Sequence, residues 1–226
     1  MFIIHEGLLE EAERLAQSIE RVYGIRSRII QMDLSQSWKP IRVFAKIRPH
    51  AEKLERILSK KHGKGKKLVI TWRDLGSGDN DDEWAFGSHC DGIDIMEIST
   101  FRLRGPDSQP NPVVTVPKEV YLRRLEVLGL HEVGHDVIRA IGARHLVETK
   151  WVDKDGNPQP FGEHCTDNRC VMYGIADICS QPESEGYMVV GEEKRSDGGL
   201  DDLIQRLRPE LFCGKCEAAM TKNSTN

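Results

Sequence analysis

The sequence predicts an α/β (α+β) fold in which helices pack against a twisted mixed β-sheet. Strand and helix patterns alternate through the first third of the 226 residues. A longer helical pattern follows and contains the segment His131-Glu132-Val133-Gly134-His135. Two spaced pairs of cysteines come after it, and they predict that a metal ion clips the C-terminal segment in place.

The alternating elements begin with an amphipathic helix at 8–23, whose apolar residues recur every three or four positions. A strand is predicted near 25–32, a second helix at 51–60 and another strand at 68–72. This order favours a sheet with helices packed on it over a helical bundle or a repeat protein.

The helix that carries the two histidines is expected to begin near Pro117, because proline suits the first turn of a helix. The stripe expected to face the interior consists of Val120, Leu125, Leu128, His131, His135 and Ile138. Both histidines would therefore lie on the buried side of the helix.

Histidines four residues apart on a helix lie one turn above each other and can bind one metal ion. Glu132 lies beside them, in the position of a general base that takes a proton from a zinc-activated water. The pattern predicts a zinc hydrolase. The alternative is that these histidines are ordinary core residues with hydrogen-bond partners.

The spaced cysteine pairs are Cys165 with Cys170 and Cys213 with Cys216. Two short cysteine loops separated by a long connection can bring four thiolates to one tetrahedral zinc ion. Such a site leaves no position for a substrate, so this zinc is expected to be structural.

Two disulfides are the alternative use of these cysteines, and they require an oxidising compartment. Residues 1–6 show none of the three parts of a secretion signal, which are a basic region, an apolar run and a cleavage site. We therefore expect a cytoplasmic protein and favour zinc over disulfides. Cys90 and Cys179 have no spaced partner and are expected to be ordinary buried residues, with a role as an additional metal ligand as the alternative.

These motifs resemble the archaemetzincins, a branch of the metzincin zinc peptidases. The family pattern is His-Glu-x-x-His-x-x-Gly-x-x-His-Cys-x4-Cys-x-Met, with Cys-x-x-Cys further on. The chain matches it at 131–135, at His164-Cys165, at Cys170-Val171-Met172 and at Cys213-Gly214-Lys215-Cys216.

The resemblance extends upstream, where Trp84-Ala85-Phe86-Gly87 and 95–103 are similar to the family's Phe-Gly turn and following strand, so that it covers roughly residues 65–216. It implies a zincin-like fold and a single metzincin-like catalytic domain over 1–226. The N-terminal subdomain, 1–142, would end in the active-site helix. The C-terminal subdomain, 143–226, would contain an inserted hairpin and the four-cysteine zinc site.

The chain departs from the family pattern at the third histidine, because Ile138 and Ile141 occupy the positions of the family's glycine and histidine. Two residues could replace it. His145 keeps the Gly-x-x-His spacing, whereas His164 keeps the adjacency to Cys165.

A hairpin is expected between these two histidines, with a strand at 146–152, a turn at 153–158 and a return through Phe161. A hairpin brings its ends together, so the insertion can deliver His164 to the site. A zinc ion held by Cys165 would also fix its neighbour, and we therefore favour His164 over His145.

The resemblance implies two zinc ions. His131, His135 and His164 would bind the catalytic zinc, with Glu132 as the catalytic base. Met172 would be the methionine of the Met-turn, packing beneath that zinc. The four paired cysteines would bind the structural zinc.

Two expectations concern the surroundings of the site. Residues 92–100 would form the edge strand of the sheet, where an extended peptide can add by backbone hydrogen bonds. Residues 180–199 are polar and rich in Gly and Glu, so an exposed loop is expected there.

Composition limits the partners. A net charge of -4 and a pI near 6.1 argue against a general nucleic-acid surface. No apolar run reaches about 18 residues, so we expect a soluble protein without a membrane partner. A peptide or protein is the expected substrate, and a monomer is favoured.

Two other functions are open on the sequence. The motif and the cysteine module could resemble the SprT-like proteases, which act on DNA-bound proteins, although the acidic pI weighs against this. A non-catalytic zinc-binding module is the second, because the third-ligand spacing is broken, although Glu132 is present.

Overall fold

The computed structural model describes residues 1–34, 47–75, 86–89, 92–107, 109, 111–140, 145–153, 155–175, 177–178, 186–195 and 199–223. Several positions that the sequence brings to notice lie outside these residues: the acidic run 79–83, Trp84, Ala85, Cys90, Ile141, Gly142 and Cys179.

Within the described residues, the elements of the N-terminal part are β1 (Phe2–His5), α1 (Leu9–Tyr23), β2 (Arg28–Gln31), α2 (Ile47–His62), β3 (Lys67–Thr71), β4 (Gly87–His89), β5 (Ile95–Ser99), a 3-10 turn (Phe101–Leu103) and α3 (Lys118–Ala140). The elements that follow are β6 (Val147–Asp153), β7 (Pro158–His164), β8 (Gly186–Val190), β9 (Glu193–Arg195), α4 (Leu200–Arg206) and α5 (Gly214–Asn223). None of the helices in these ranges is long and apolar enough to cross a bilayer.

The chain divides into two compact units. The first comprises Met1–Gly105 and Gln109–Val133, and the second comprises Pro106–Ser108 and Gly134–Asn226. The boundary between the units falls inside α3. This helix carries His131 before the boundary and His135 after it.

The first unit contains a five-stranded sheet in the order β2-β1-β3-β5-β4. β1 is parallel to β2 and β3, β3 is parallel to β5, and β4 is antiparallel to β5. The predicted mixed α/β sheet with helices is therefore confirmed.

β5 lies inside this sheet, so the prediction that 92–100 forms its edge is wrong. β5 pairs with β3 on one side and with β4 on the other, so β4 is the outer strand on this side of the described sheet. The side chain of Glu97 in β5 is buried, and its Oε2 accepts a hydrogen bond from Ser88 Oγ of β4 at 3.1 Å.

One face of the sheet packs against α2. Ile4, Val69 and Ile95 come from three parallel strands, Leu54 and Leu58 come from α2, and all five are buried. Burying each such side chain contributes roughly 1.5–3 kcal/mol, so this cluster holds α2 on the sheet.

Helices α1 and α3 cross at very short range. A Cβ at Gly129 of α3 would lie 2.3 Å from Leu15 Cδ2 of α1, so a side chain at this position would push the helices apart. The Tyr23 hydroxyl of α1 donates to the Leu130 carbonyl at 2.5 Å. The predicted buried stripe of α3 fails at Val120, which is exposed in the first turn of the helix.

Glu126 of α3 is a buried carboxylate surrounded by donors. Its Oε1 lies 2.6 Å from Arg21 Nη2 and accepts from Ser18 Oγ at 2.7 Å, and its Oε2 lies 3.0 Å from Arg123 Nη1. Burial alone would raise the pKa of Glu126, but the hydrogen bonds from Ser18, Arg123 and Arg21 outweigh it and lower the pKa to about 2. The charged form therefore joins α1 to α3.

Glu126→Gln is expected to destabilise the protein at neutral pH by about 1–3 kcal/mol, allowing for solvent screening of the exposed arginines. Because the folded pKa lies below the ordinary value of 4.5, this stabilisation is present above about pH 4.5 and is lost as the pH falls toward 2. Urea unfolding of parent and variant at about pH 7 and pH 3.5 measures the difference, which should shrink in acid.

Glu20→Gln is the matched control, because Glu20 Oε1 lies 3.4 Å from the highly exposed Arg26 and its loss should change stability little. A Glu126→Gln effect that stayed constant between the two pH values would contradict the assignment of the effect to the carboxylate charge.

The second unit contains an antiparallel sheet in the order β7-β6-β8-β9. The predicted hairpin is confirmed as β6 and β7, and its two ends meet where Val147 pairs with His164.

The prediction of an exposed loop at 180–199 is wrong for 186–195, which form the hairpin β8–β9; 180–185 and 196–198 lie outside the described residues. β8 pairs with β6, and the side chains of Met188 and Val190 are buried. Gly191, with a φ of 63°, begins the two-residue turn. Buried Met188 and Val190 alternate with more exposed residues, which is the pattern of a strand. The polar residues around this short pattern favoured a loop in the sequence.

Candidate metal centres

Helix α3 presents His131 and His135 one turn apart. Pro117 precedes the helix, and its carbonyl accepts the first helical hydrogen bonds. The helix then continues past His135 to Ala140, because buried Ile138 stands where the family pattern has a helix-ending glycine. His131 and Glu132 are buried and His135 is half-buried.

Three histidines come together around one point. The rings of His135 and His164 meet edge to face, with centroids 5.1 Å apart and an interplanar angle of 79°. One ligand nitrogen each from His131, His135 and His164 lies within 4.8 Å of the others. Three imidazoles at this spacing fit a zinc site that keeps its fourth position for water or substrate.

His164 is aimed by the end of β7. A β-bulge interrupts the β6–β7 pairing, and Gly162 of the bulged strand has a φ of 94°. Bulges bend a strand and redirect the side chains that follow. On the other side, a Cβ at Gly174 would lie 3.5 Å from His164 Cγ and 3.2 Å from Met188 Sδ, so the backbone at Gly174 passes close to the imidazole.

Met172 lies in the turn that precedes Gly174 and is fully buried. Its carbonyl oxygen accepts a hydrogen bond from the backbone N–H of Cys165 at 2.9 Å. Because Cys165 directly follows His164, the methionine turn is tied to the backbone of the candidate ligand.

The carboxylate of Glu132 lies against β4. A Cβ at Gly87 would lie 2.4 Å from Glu132 Oε1 and 2.9 Å from its Cγ. Gly87 has no positive φ, so the position requires space and not a glycine conformation. Burial raises the pKa of Glu132 to about 8. A nearby dication would oppose this shift by favouring the carboxylate.

The four paired cysteines form the second group. The sulfurs of Cys165 and Cys213 are 3.6 Å apart, as are those of Cys170 and Cys216, and all four are free thiols in one buried cluster. Sulfurs bound to one tetrahedral zinc at ~2.3 Å are ~3.8 Å apart, whereas disulfide sulfurs are ~2.05 Å apart. The spacing therefore fits zinc.

Backbone and thiol donors surround this cluster. The N–H of Asp167 donates to Cys165 Sγ and the N–H of Cys213 to Cys170 Sγ, each at 3.4 Å. Hydrogen bonds from the Cys170 and Cys216 thiols lower the pKa of Cys165. The hydrogen bonds with Cys165 raise the pKa of Cys170 and of Cys216, because a second thiolate is disfavoured beside the first. A shared cation would remove that penalty.

His145, the alternative third ligand, lies elsewhere. Its Nε2 is 3.1 Å from Cys216 Sγ, so it stands beside the cysteine group. His164 is the residue that the structure brings to His131 and His135.

No protein-family model matches the sequence, and neither does any curated protein. Among solved structures, the archaemetzincin from Archaeoglobus fulgidus in complex with malonate superposes on this chain with a TM-score of 0.52. The similarity covers 97% of this chain and 99% of that chain, at 19% sequence identity. The chain has an archaemetzincin-like fold.

Two glycines of this archaemetzincin-like fold are functional candidates that sequence reasoning missed. Gly174 belongs to no motif of the sequence, and Gly87 belongs only to the Phe-Gly turn of the family resemblance. Neither has a positive φ, so turn propensity could not have marked them. Gly174 could have been found through its spacing from Met172, but the contact of Gly87 with Glu132 joins positions far apart in the chain.

Proposed function

We propose that this protein is a zinc-dependent peptidase of the archaemetzincin type. The observation that carries the proposal is the grouping of His131, His135 and His164, with ligand atoms within 4.8 Å of one another, next to the buried Glu132. The archaemetzincin-like fold and a separate cysteine group with zinc spacing support it. The cysteines would hold a structural zinc.

When bound by the three histidines, zinc supplies a Lewis acid that polarises the scissile carbonyl and lowers the pKa of a water molecule. The chain's contribution is to hold the imidazoles in place. His131 and His135 are fixed by the helix, and His164 is fixed by the hairpin and by packing on Gly174.

Glu132 would act as general base and then as general acid. Its carboxylate takes a proton from the attacking water and gives it to the amide nitrogen as the C–N bond breaks. The buried position strengthens its electrostatic interactions with the reacting groups. The missing Cβ of Gly87 leaves the space that the carboxylate occupies.

We assign the peptide substrate to β4. It is the outer strand on the β5 side of its sheet among the described residues, and an outer strand offers backbone groups for pairing. An extended peptide added to β4 would run past Gly87 and therefore close to Glu132. Pairing through the backbone would tolerate many substrate sequences.

Cleavage of a fluorogenic peptide library tests the proposal. We expect cleavage by the zinc-loaded protein, none after chelation and recovery when zinc is returned. His164→Ala should lose both the activity and one of two zinc ions measured by elemental analysis, because two remaining histidines hold an open site weakly. His62→Ala, a half-buried histidine in the last turn of α2, is the control and should keep both.

Each other outcome points to a different function. Cleavage that survived complete zinc removal would contradict the proposal. Two bound zinc ions without cleavage of any peptide or protein would favour a non-catalytic zinc-binding module. Cleavage confined to proteins bound to DNA would favour an SprT-like protease.

Gly87→Ala is expected to reduce peptidase activity by roughly 100-fold while both zinc ions remain bound, because the new Cβ displaces the Glu132 carboxylate from its position. Kinetics and elemental analysis on the purified variant measure the two effects. Gly214→Ala is the matched control, since a Cβ there meets nothing within 4 Å.

Thermal unfolding measures the clash between a Cβ at position 87 and the Glu132 carboxylate independently of peptidase activity. Gly87→Ala should lower the melting temperature of the parent but not that of a Glu132→Ala variant, where the clashing carboxylate is gone. Equal losses in the two backgrounds would contradict the assigned contact.

A further inference from the structure

His145 approaches the cysteine group from a distant part of the chain. Its Nε2 lies 3.1 Å from Cys216 Sγ, although 71 positions separate the two residues. The four grouped cysteine sulfurs are enough to complete a tetrahedral zinc site. His145 is therefore a neighbour of one ligand, and zinc binding does not need it as another.

The chemistry of the contact follows from the state of the sulfur. A cysteine bound to zinc is a thiolate without a proton, so His145 must donate its Nε2–H to Cys216 Sγ. Four thiolates around one Zn²⁺ carry a net charge of about -2, and N–H donors disperse that charge. Cys165 and Cys170 receive such donors from nearby backbone, whereas Cys216 receives one from the His145 side chain.

The position of His145 gives the contact a further consequence. His145 lies two positions before the first residue of β6, and Cys165 follows the last residue of β7, so both flank the paired ends Val147 and His164. One end of the hairpin enters the cysteine group as the ligand Cys165. The other end reaches the same group through His145.

We propose that His145 is a positioning residue: by donating a hydrogen bond to Cys216, it holds the N-terminal end of the β6–β7 hairpin against the cysteine group. The cysteine group thus holds both ends of the segment that delivers His164. The inference rests on the structural zinc of the proposed function.

Zinc release to a chromophoric chelator tests this, with alkylation of Cys216 by iodoacetamide as the second measurement. We expect His145→Ala to keep two zinc ions but to speed the slow, cysteine-site phase of release about tenfold and to make Cys216 easier to alkylate. His145→Gln, whose amide N–H can replace Nε2–H, should lie close to the parent. His62→Ala should match the parent.

The inference would be overturned if the slow phase of zinc release had the same rate in His145→Ala as in the parent and in His62→Ala. It would also be overturned by d–d bands of Co²⁺ at the cysteine site that report a different ligand set in His145→Ala, because such a change would make His145 a ligand. A parent protein without a slow phase would instead refute the structural zinc itself, which distinguishes failure of the inference from failure of the proposed function.

Discussion

Glu132→Gln is expected to abolish measurable peptide hydrolysis while both zinc ions stay bound. Glu132 is adjacent to His131 but does not belong to the histidine ligand group, so its amide analogue leaves the ligands unchanged. General base and acid catalysis contributes typically ~10²–10⁴-fold, and the variant loses both steps. The loss should appear in kcat with little change in KM, because the substrate is held elsewhere.

The stability of Glu132→Gln should not fall. Glu132 is buried, and glutamine has nearly the same volume without a charge to desolvate, so it can occupy the same space. Glu119→Gln is the matched control, since Glu119 is exposed on the same helix. Peptide cleavage by Glu132→Gln at the parental rate would place catalysis outside the histidine group.

Local structure could be predicted because periodicity is a local property. The apolar spacing of α1 and the turn residues between β6 and β7 specify a helix and a hairpin without reference to the rest of the chain. Strand order is different, since it depends on pairing between distant segments. β4 has three residues, too few for an alternating pattern to predict it. Because β4 pairs with β5, the predicted edge strand lies inside the sheet.

The same distinction holds within the site. His131 and His135 could be paired from the sequence because a helix fixes residues four apart. The grouping of His164 with them needed the closure of a hairpin, which its turn residues indicated. The contact of His145 with Cys216 is encoded by no local pattern, because it depends on where the turn before β6 and the first turn of α5 lie in the folded chain.

Loss of the cysteine-bound zinc is expected to have the largest effect on stability. Cys213→Ser should reduce the zinc content from two ions to one and lower the melting temperature by more than about 10 °C, because binding of a structural zinc contributes directly to the free energy of folding. Cys213 is well placed to show this, since its sulfur lies 3.6 Å from Cys165 and its N–H donates to Cys170 Sγ. Calorimetry and elemental analysis on the same samples measure both effects.

The matched controls are Cys90→Ser and Cys179→Ser, which remove cysteines without a spaced partner and should keep both zinc ions. Titration with a strong chelator should reproduce the stability loss in the parent but add little in Cys213→Ser, because the tight ion is already absent there. The reason is linkage: a ligand bound only by the folded protein stabilises it in proportion to RT ln(1 + [L]/Kd). A Cys213→Ser protein with two zinc ions and the parental melting temperature would show that these thiols bind no structural metal.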